Sequence, residues 1–148
     1  MSTMDIKKLA ADLSVAAQLE PSDIAEIAAR GFKSVISNRP DDEAEAQPSF
    51  AEVAREAHRF GLEARYIPVV SGKLSDADVA AFSSAIQVLP KPILAYCRTG
   101  TRCTMLWALS EARRRPLSDI LTVANAAGYD LKSIEQRLLA ASGNASAH

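Results

Sequence analysis

Cys97 opens a six-residue run, Cys97-Arg98-Thr99-Gly100-Thr101-Arg102, that brings together a thiol, two hydroxyls, a glycine and two guanidinium groups. A cysteine attacks other molecules only as the thiolate, which is favoured by nearby positive charge and by the unpaired amides at a helix N-terminus. Those amides also converge on a concavity suited to an anion. Gly100, without a Cβ, lets the backbone take positive φ and come close to a ligand. The set suits nucleophilic attack by Cys97 on a small anion, with Arg102 a second catalytic residue and Arg98, Thr99, Gly100 and Thr101 binding the substrate. Cys103, the next residue, reads as a core filler in the first helical turn that also borders the anion site. Arg39, at a strand end in Asn38-Arg39-Pro40, is a further anion-binding candidate, with a solvated loop arginine as the plainer reading.

Such a loop works only where a buried strand meets a helix, and the sequence supplies both. Ile93-Leu94-Ala95-Tyr96 is a continuous apolar strand, and Thr104 to Arg113 has the composition of a buried helix. Further strands are expected at Leu13–Gln18, Phe32–Ser37 and Ala64–Val70, alternating with helices at about 21–30, 49–60, 75–88, 118–127 and 130–141. This alternation predicts a single-domain α/β fold over residues 1–148, with a mainly parallel central sheet flanked by helices. Strand ends in such a sheet collect binding residues along one edge. The charged segment 38–48 is too polar to be buried, and residues 142–148 are expected to form a disordered tail.

Composition narrows the partners. The 148 residues carry 17 Lys+Arg against 18 Asp+Glu, and the pI of about 6.1 gives none of the basic excess that nucleic acid or anionic membrane surfaces attract. No apolar run is long enough for a signal peptide or a membrane span, and two closely spaced cysteines do not make a disulfide framework, so a cytoplasmic protein is expected. No cluster has metal-ligand spacing, and no dinucleotide or nucleotide-phosphate fingerprint is present; neither metal nor cofactor is expected. His58, Lys73 and the run Arg113-Arg114-Arg115 read as surface residues, and Tyr96 and Trp107 as packing.

The run CRTGTR resembles the active-site loop of rhodanese-type sulfurtransferases, in which cysteine opens a six-residue loop that arginine often closes. Strand, loop and helix together are also similar to cysteine-dependent protein tyrosine and dual-specificity phosphatases. Their signature has histidine before the nucleophile and arginine six residues after it, where this chain has Tyr96 and Cys103. The upstream segment SVAAQLEPSDIAEIAARGFKSVISNRPDDE, followed by YIPVVSG, resembles the phosphatase-like domain found alone or fused to metallo-β-lactamase-type persulfide dioxygenases, the beta-lactamase hydrolase-like proteins. The similarity runs from about Leu13 to Arg113 and implies a dual-specificity-phosphatase-like fold, with either phosphatase or sulfurtransferase activity.

Loop length and the residues after YIPVV favour sulfur. A phosphate ester needs an acid for its leaving group, and the nearest carboxylates, Asp76 and Asp78, read as first-turn helix residues. A sulfane donor needs none. The expectation is therefore a rhodanese-like sulfurtransferase that moves sulfur from thiosulfate or a persulfide to a thiol or cyanide through a Cys97 persulfide, alongside a persulfide-metabolising partner enzyme. The alternatives are a phosphatase acting on a phosphate ester through a Cys97 phosphocysteine, and a non-catalytic anion-binding or redox-sensing module in which Cys103 resolves an oxidised Cys97.

Overall fold

The computed structural model describes residues 4–146. Five strands form one sheet: β1 (Lys7–Ala10), β2 (Leu13–Ala16), β3 (Ser34–Ser37), β4 (Glu63–Tyr66) and β5 (Ile93–Tyr96), in the order β1-β2-β5-β3-β4. All neighbours are parallel except β1, which pairs antiparallel with β2 at the edge. Six helices cover the sheet: α1 (Ile24–Ala29), α2 (Phe50–Arg59), α3 (Asp76–Val88), α4 (Thr101–Glu111), α5 (Leu117–Ala126) and α6 (Glu135–Ser146). This is the expected α/β architecture. Among the described residues, no helix is long and apolar enough to cross a membrane, and no group of side chains could hold a metal ion.

Strand β5 explains the layering. Its side chains alternate between faces, so Leu94 and Tyr96 pack with Ile24, Ile27, Val53 and Ala57 from α1 and α2. Ile93, Ala95 and the following Cys97 face Phe82, Leu106, Ile120 and Leu138 from α3 to α6. A strand buried on both faces reads as an unbroken apolar run, which is how ILAY stands out. β4, by contrast, is a mostly exposed edge strand that ends at Tyr66. The predicted strand ran on to Val70, but Ile67 and Val69 continue only as extended chain, their amides bonded to Ser37 and Asn38 carbonyls at 2.9 and 3.0 Å.

Because β5 lies between β2 and β3, the carboxyl ends of four parallel strands bring Gln18, Arg39, Val69 and Cys97 to one rim. Backbone bonds tie these ends together, Cys97 N–H to Ala16 at 3.4 Å and Asn38 N–H to Tyr96 at 2.8 Å. Helices α2 and α3 start with reciprocal caps, Ser49 with Glu52 and Ser75 with Asp78. Helix α6 continues to Ser146, through part of the segment expected to be a disordered tail; residues 147 and 148 lie outside the described residues.

Candidate active site

Helix α4 begins at Thr101, three residues earlier than predicted, and this sets the geometry of the site. Arg102 and Cys103 therefore belong to its first turn, and only Arg98, Thr99 and Gly100 separate it from Cys97. Gly100 is the N-cap, at φ 94°, and its carbonyl accepts from the Thr104 amide at 3.1 Å and the Thr104 hydroxyl at 2.9 Å. A Cβ here would lie 2.2 Å from the Tyr129 hydroxyl oxygen, which itself donates to the Thr99 carbonyl at 3.2 Å. Tyr129, invisible as a site residue in the sequence, thus roofs the loop from the segment after α5. The left-handed backbone alone makes Gly100→Ala cost about 1–2 kcal/mol. The collision with Tyr129 adds to it, so urea unfolding should show a larger loss for Gly100→Ala alone than for Gly100→Ala measured in a Tyr129→Ala background.

Cys97 is fully buried at the base of this turn. The Cys103 thiol bonds to its sulfur, and the amides of Cys103, Thr99 and Gly100 support it, Gly100 N–H at 3.1 Å. These donors outweigh burial, which acts the other way, and lower the Cys97 pKa from 9.0 to about 5. Hydrogen bonds are the leading cause of the lowered pKa; Arg98 is exposed, and Arg102, though paired with Glu43, also interacts with Cys97 through its charge. Cys103, fully buried and facing an ionised neighbour, has its own pKa pushed well above 9.0. Near neutrality, thiolate absorbance therefore reports Cys97 alone. Its titration midpoint should lie at about 5 in the native protein and rise in Cys103→Ala, because removing a donor disfavours the anion; an unmoved midpoint would exclude Cys103 as the donor.

Arg102, only 8% exposed, reaches across to the 38–48 segment. Its Nη1 donates to Glu43 Oε2 at 2.7 Å and to the Val69 carbonyl at 2.8 Å, and its Nη2 to Glu43 Oε1 at 2.9 Å. Arg39, 6% exposed, donates from Nε to the same Glu43 oxygen at 2.9 Å and from Nη1 to Gln18 at 3.0 Å. The Arg102 bond is the largest influence on Glu43; burial opposes it, the Arg39 bond and the charges of both arginines add to it, and the Glu43 pKa is lowered. The charged segment is thus folded over the rim, and Arg39 is a structured part of the site rather than a solvated loop residue. Glu43 and Gln18 gave no signal in the sequence, since one acid among several in a polar loop looks like solvation.

A cavity of about 710 Å³ opens over the loop, lined by Arg39, Glu43, Arg98, Thr99, Thr101 and Arg102, and by Arg137 of α6. Asp76 and Asp78 do not line it. Asp76 Oδ1 accepts from Arg137 at 2.9 Å, and Asp78 is spent on capping Ser75. His58, Lys73 and Arg113 to Arg115 are exposed and do not line this cavity, although Gly72 and Leu74 on either side of Lys73 do. Tyr96 and Trp107 are core, as read.

Residues 5–114 match the family described as beta-lactamase hydrolase-like protein, phosphatase-like domain. The chain belongs to this family. A beta-lactamase hydrolase-like protein of Xylella fastidiosa is 34% identical over 121 residues, which are 80% of this chain and 28% of that relative. The chain thus spans about a quarter of the length of the curated relatives it matches. A candidate phosphatase of Neisseria meningitidis, known from its crystal structure, is 38% identical, with a TM-score of 0.86 over 94% of this chain and 99% of its own. PTPMT1, crystallised with PI(5)P, shares the fold at 13% identity, with a TM-score of 0.71 over 97% of each chain. The family match and the Neisseria meningitidis relative correct the expectation of a sulfurtransferase. With it fall sulfide metabolism, thiosulfate and persulfide as donors, and a persulfide-metabolising partner. Loop length counted along the chain misleads here: Arg102 lies inside the helix rather than closing a free loop, and its early position still delivers a guanidinium to the rim.

Proposed function

We propose that this domain is a cysteine-dependent phosphatase that removes a terminal phosphate group from an anionic substrate through a Cys97 phosphocysteine. The observation that carries the reading is a buried thiolate with a pKa of about 5 at the N-terminus of α4, beside an arginine with one edge still free. The bonds to Glu43 and Val69 use three of Arg102's five N–H groups and leave Nε–H and one Nη2–H as a parallel fork that suits two phosphate oxygens. Loop amides and the helix dipole take up the remaining charge.

Cys97 Sγ attacks phosphorus, the bond to the leaving-group oxygen breaks, and that oxygen departs with the electron pair. Water then attacks the phosphocysteine, and the pair from the S–P bond returns to sulfur. The phosphate ester seen with PTPMT1 supports an anionic phosphate substrate for this fold. A reducing, cytoplasmic setting suits two free thiols. Acid-quenching the protein during turnover of p-nitrophenyl phosphate should trap one phosphate on the peptide carrying Cys97, read by mass spectrometry; turnover with no such adduct would refute the covalent route.

A further inference from the structure

The cavity lacks what an ordinary phosphate ester requires and has more positive charge than one phosphate needs. An alkoxide leaving group must be protonated as it departs. The carboxylate that lines the cavity is Glu43, which two arginines hold ionised and which therefore accepts hydrogen bonds rather than donating a proton. The other acids of the 38–48 segment, Asp41, Asp42 and Glu45, do not line the cavity, and Asp41 accepts from the Phe50 amide; Asp76 and Asp78 are turned to Arg137 and to the cap of α3. Meanwhile four arginines face the same space. Arg39 and Arg102 share Glu43, but the Arg98 guanidinium has no partner among the described residues, and Arg137 is anchored to the Leu74 carbonyl at 2.6 Å and to a fully exposed Asp76. An ion pair with so exposed a carboxylate is weak, so the Arg137 charge is available to the cavity.

We propose that the natural substrate is a phosphoanhydride, the terminal phosphate of a diphosphate, with Arg98 and Arg137 holding the departing phosphate. This rests on the phosphatase reading and deepens it. Cys97 Sγ forms a bond to the terminal phosphorus, the bridging P–O bond breaks, and the pair stays on the bridging oxygen of the departing phosphate. That group is far more acidic than an alcohol and leaves without a proton, which removes the need for an acid, while its charge explains the arginines that a monoester leaves idle. Water hydrolyses the phosphocysteine, its proton passes to solvent, and the thiolate is restored.

The test compares four probes on the full chain: inorganic pyrophosphate, adenosine 5′-diphosphate, p-nitrophenyl phosphate and fructose 1,6-bisphosphate, whose two phosphates are alkyl esters. At least one diphosphate should exceed p-nitrophenyl phosphate in kcat/KM, and the alkyl bisphosphate should fall about 100-fold or more below it. Arg98→Ala and Arg137→Ala should each lower the ratio of diphosphate to p-nitrophenyl phosphate kcat/KM by about tenfold. Arg98, with an exposed and unpartnered side chain, tests the idea without disturbing the fold. Equal turnover of the alkyl bisphosphate, or an unchanged ratio in both variants, would overturn the inference. Cys97-dependent hydrolysis of p-nitrophenyl phosphate with both diphosphates inert would overturn it and leave the phosphatase reading standing; no hydrolysis of any probe would remove both.

Discussion

Cys97→Ser is expected to abolish phosphate release from p-nitrophenyl phosphate, by at least about 10³-fold in kcat, without loss of fold. The thiol needs no base to become a nucleophile, because at neutral pH a group with a pKa of about 5 is already ionised. Everything around it is arranged as a donor: the Cys103 thiol and the amides of Cys103, Thr99 and Gly100. A serine hydroxyl in that place has no general base to take its proton, since the sulfur's neighbours offer hydrogens and no histidine among the described residues lines the cavity. The same donors can bond to a hydroxyl oxygen, so the loop, the Gly100 cap and the Tyr129 roof should stay in place. The circular dichroism spectrum and the urea midpoint should stay close to those of the native protein while turnover disappears. Hydrolysis at more than one per cent of the native rate in a serine variant free of contaminating phosphatase would exclude Cys97 as the nucleophile.

The candidate nucleophile stands out because two local signals meet: an unbroken apolar strand, which in this topology is buried on both faces, and a Cys-to-Gly loop immediately after it. Strands β2, β3 and β5 and all six helices follow from periodicity and caps such as Ser49 and Ser75. Edge strands carry less information. Lys7-Lys8-Leu9-Ala10 pairs on one side only and was not predicted, and β4 was read too long because buried Ile67 and Val69 mimic strand residues. The start of α4 was misplaced since Thr101 and Arg102 are poor markers of a helix interior, while the actual cap is a glycine with no side-chain bond. Those three residues decide the chemistry. Counted along the chain, Arg102 closes a short sulfurtransferase-like loop; folded, it is a first-turn residue whose guanidinium crosses to Glu43, fifty-nine positions away. Partnerships over such separations, Arg102 with Glu43 and Gly100 with Tyr129, leave no periodic trace in a single sequence.

Arg102→Ala should lower kcat/KM for p-nitrophenyl phosphate by about 10²–10³-fold, the loss expected when an oriented donor to developing charge is removed. Two consequences of its geometry decide how the loss divides. The guanidinium is rigidly held through Glu43 and the Val69 carbonyl, so its free fork is in place before substrate arrives and no ordering is needed in the transition state. Removing it should therefore depress kcat strongly, rather than acting only on KM. It also leaves Glu43 with Arg39 as its remaining partner, so an anionic side chain beside the cradle loses half its neutralisation and repels the phosphate. Arg102→Lys keeps the charge but cannot present two parallel N–H groups while also bonding Glu43 and Val69. It should recover binding of orthophosphate as a competitive inhibitor far better than it recovers kcat. Glu43→Gln separates orientation from charge: it keeps the guanidinium but weakens its tether, so kcat should fall by less than in Arg102→Ala while inhibition by orthophosphate is retained or strengthened. If Arg102→Ala changed KM alone and Arg102→Lys behaved like the native protein, Arg102 would be a simple electrostatic attractor and the fork would play no part in the chemistry.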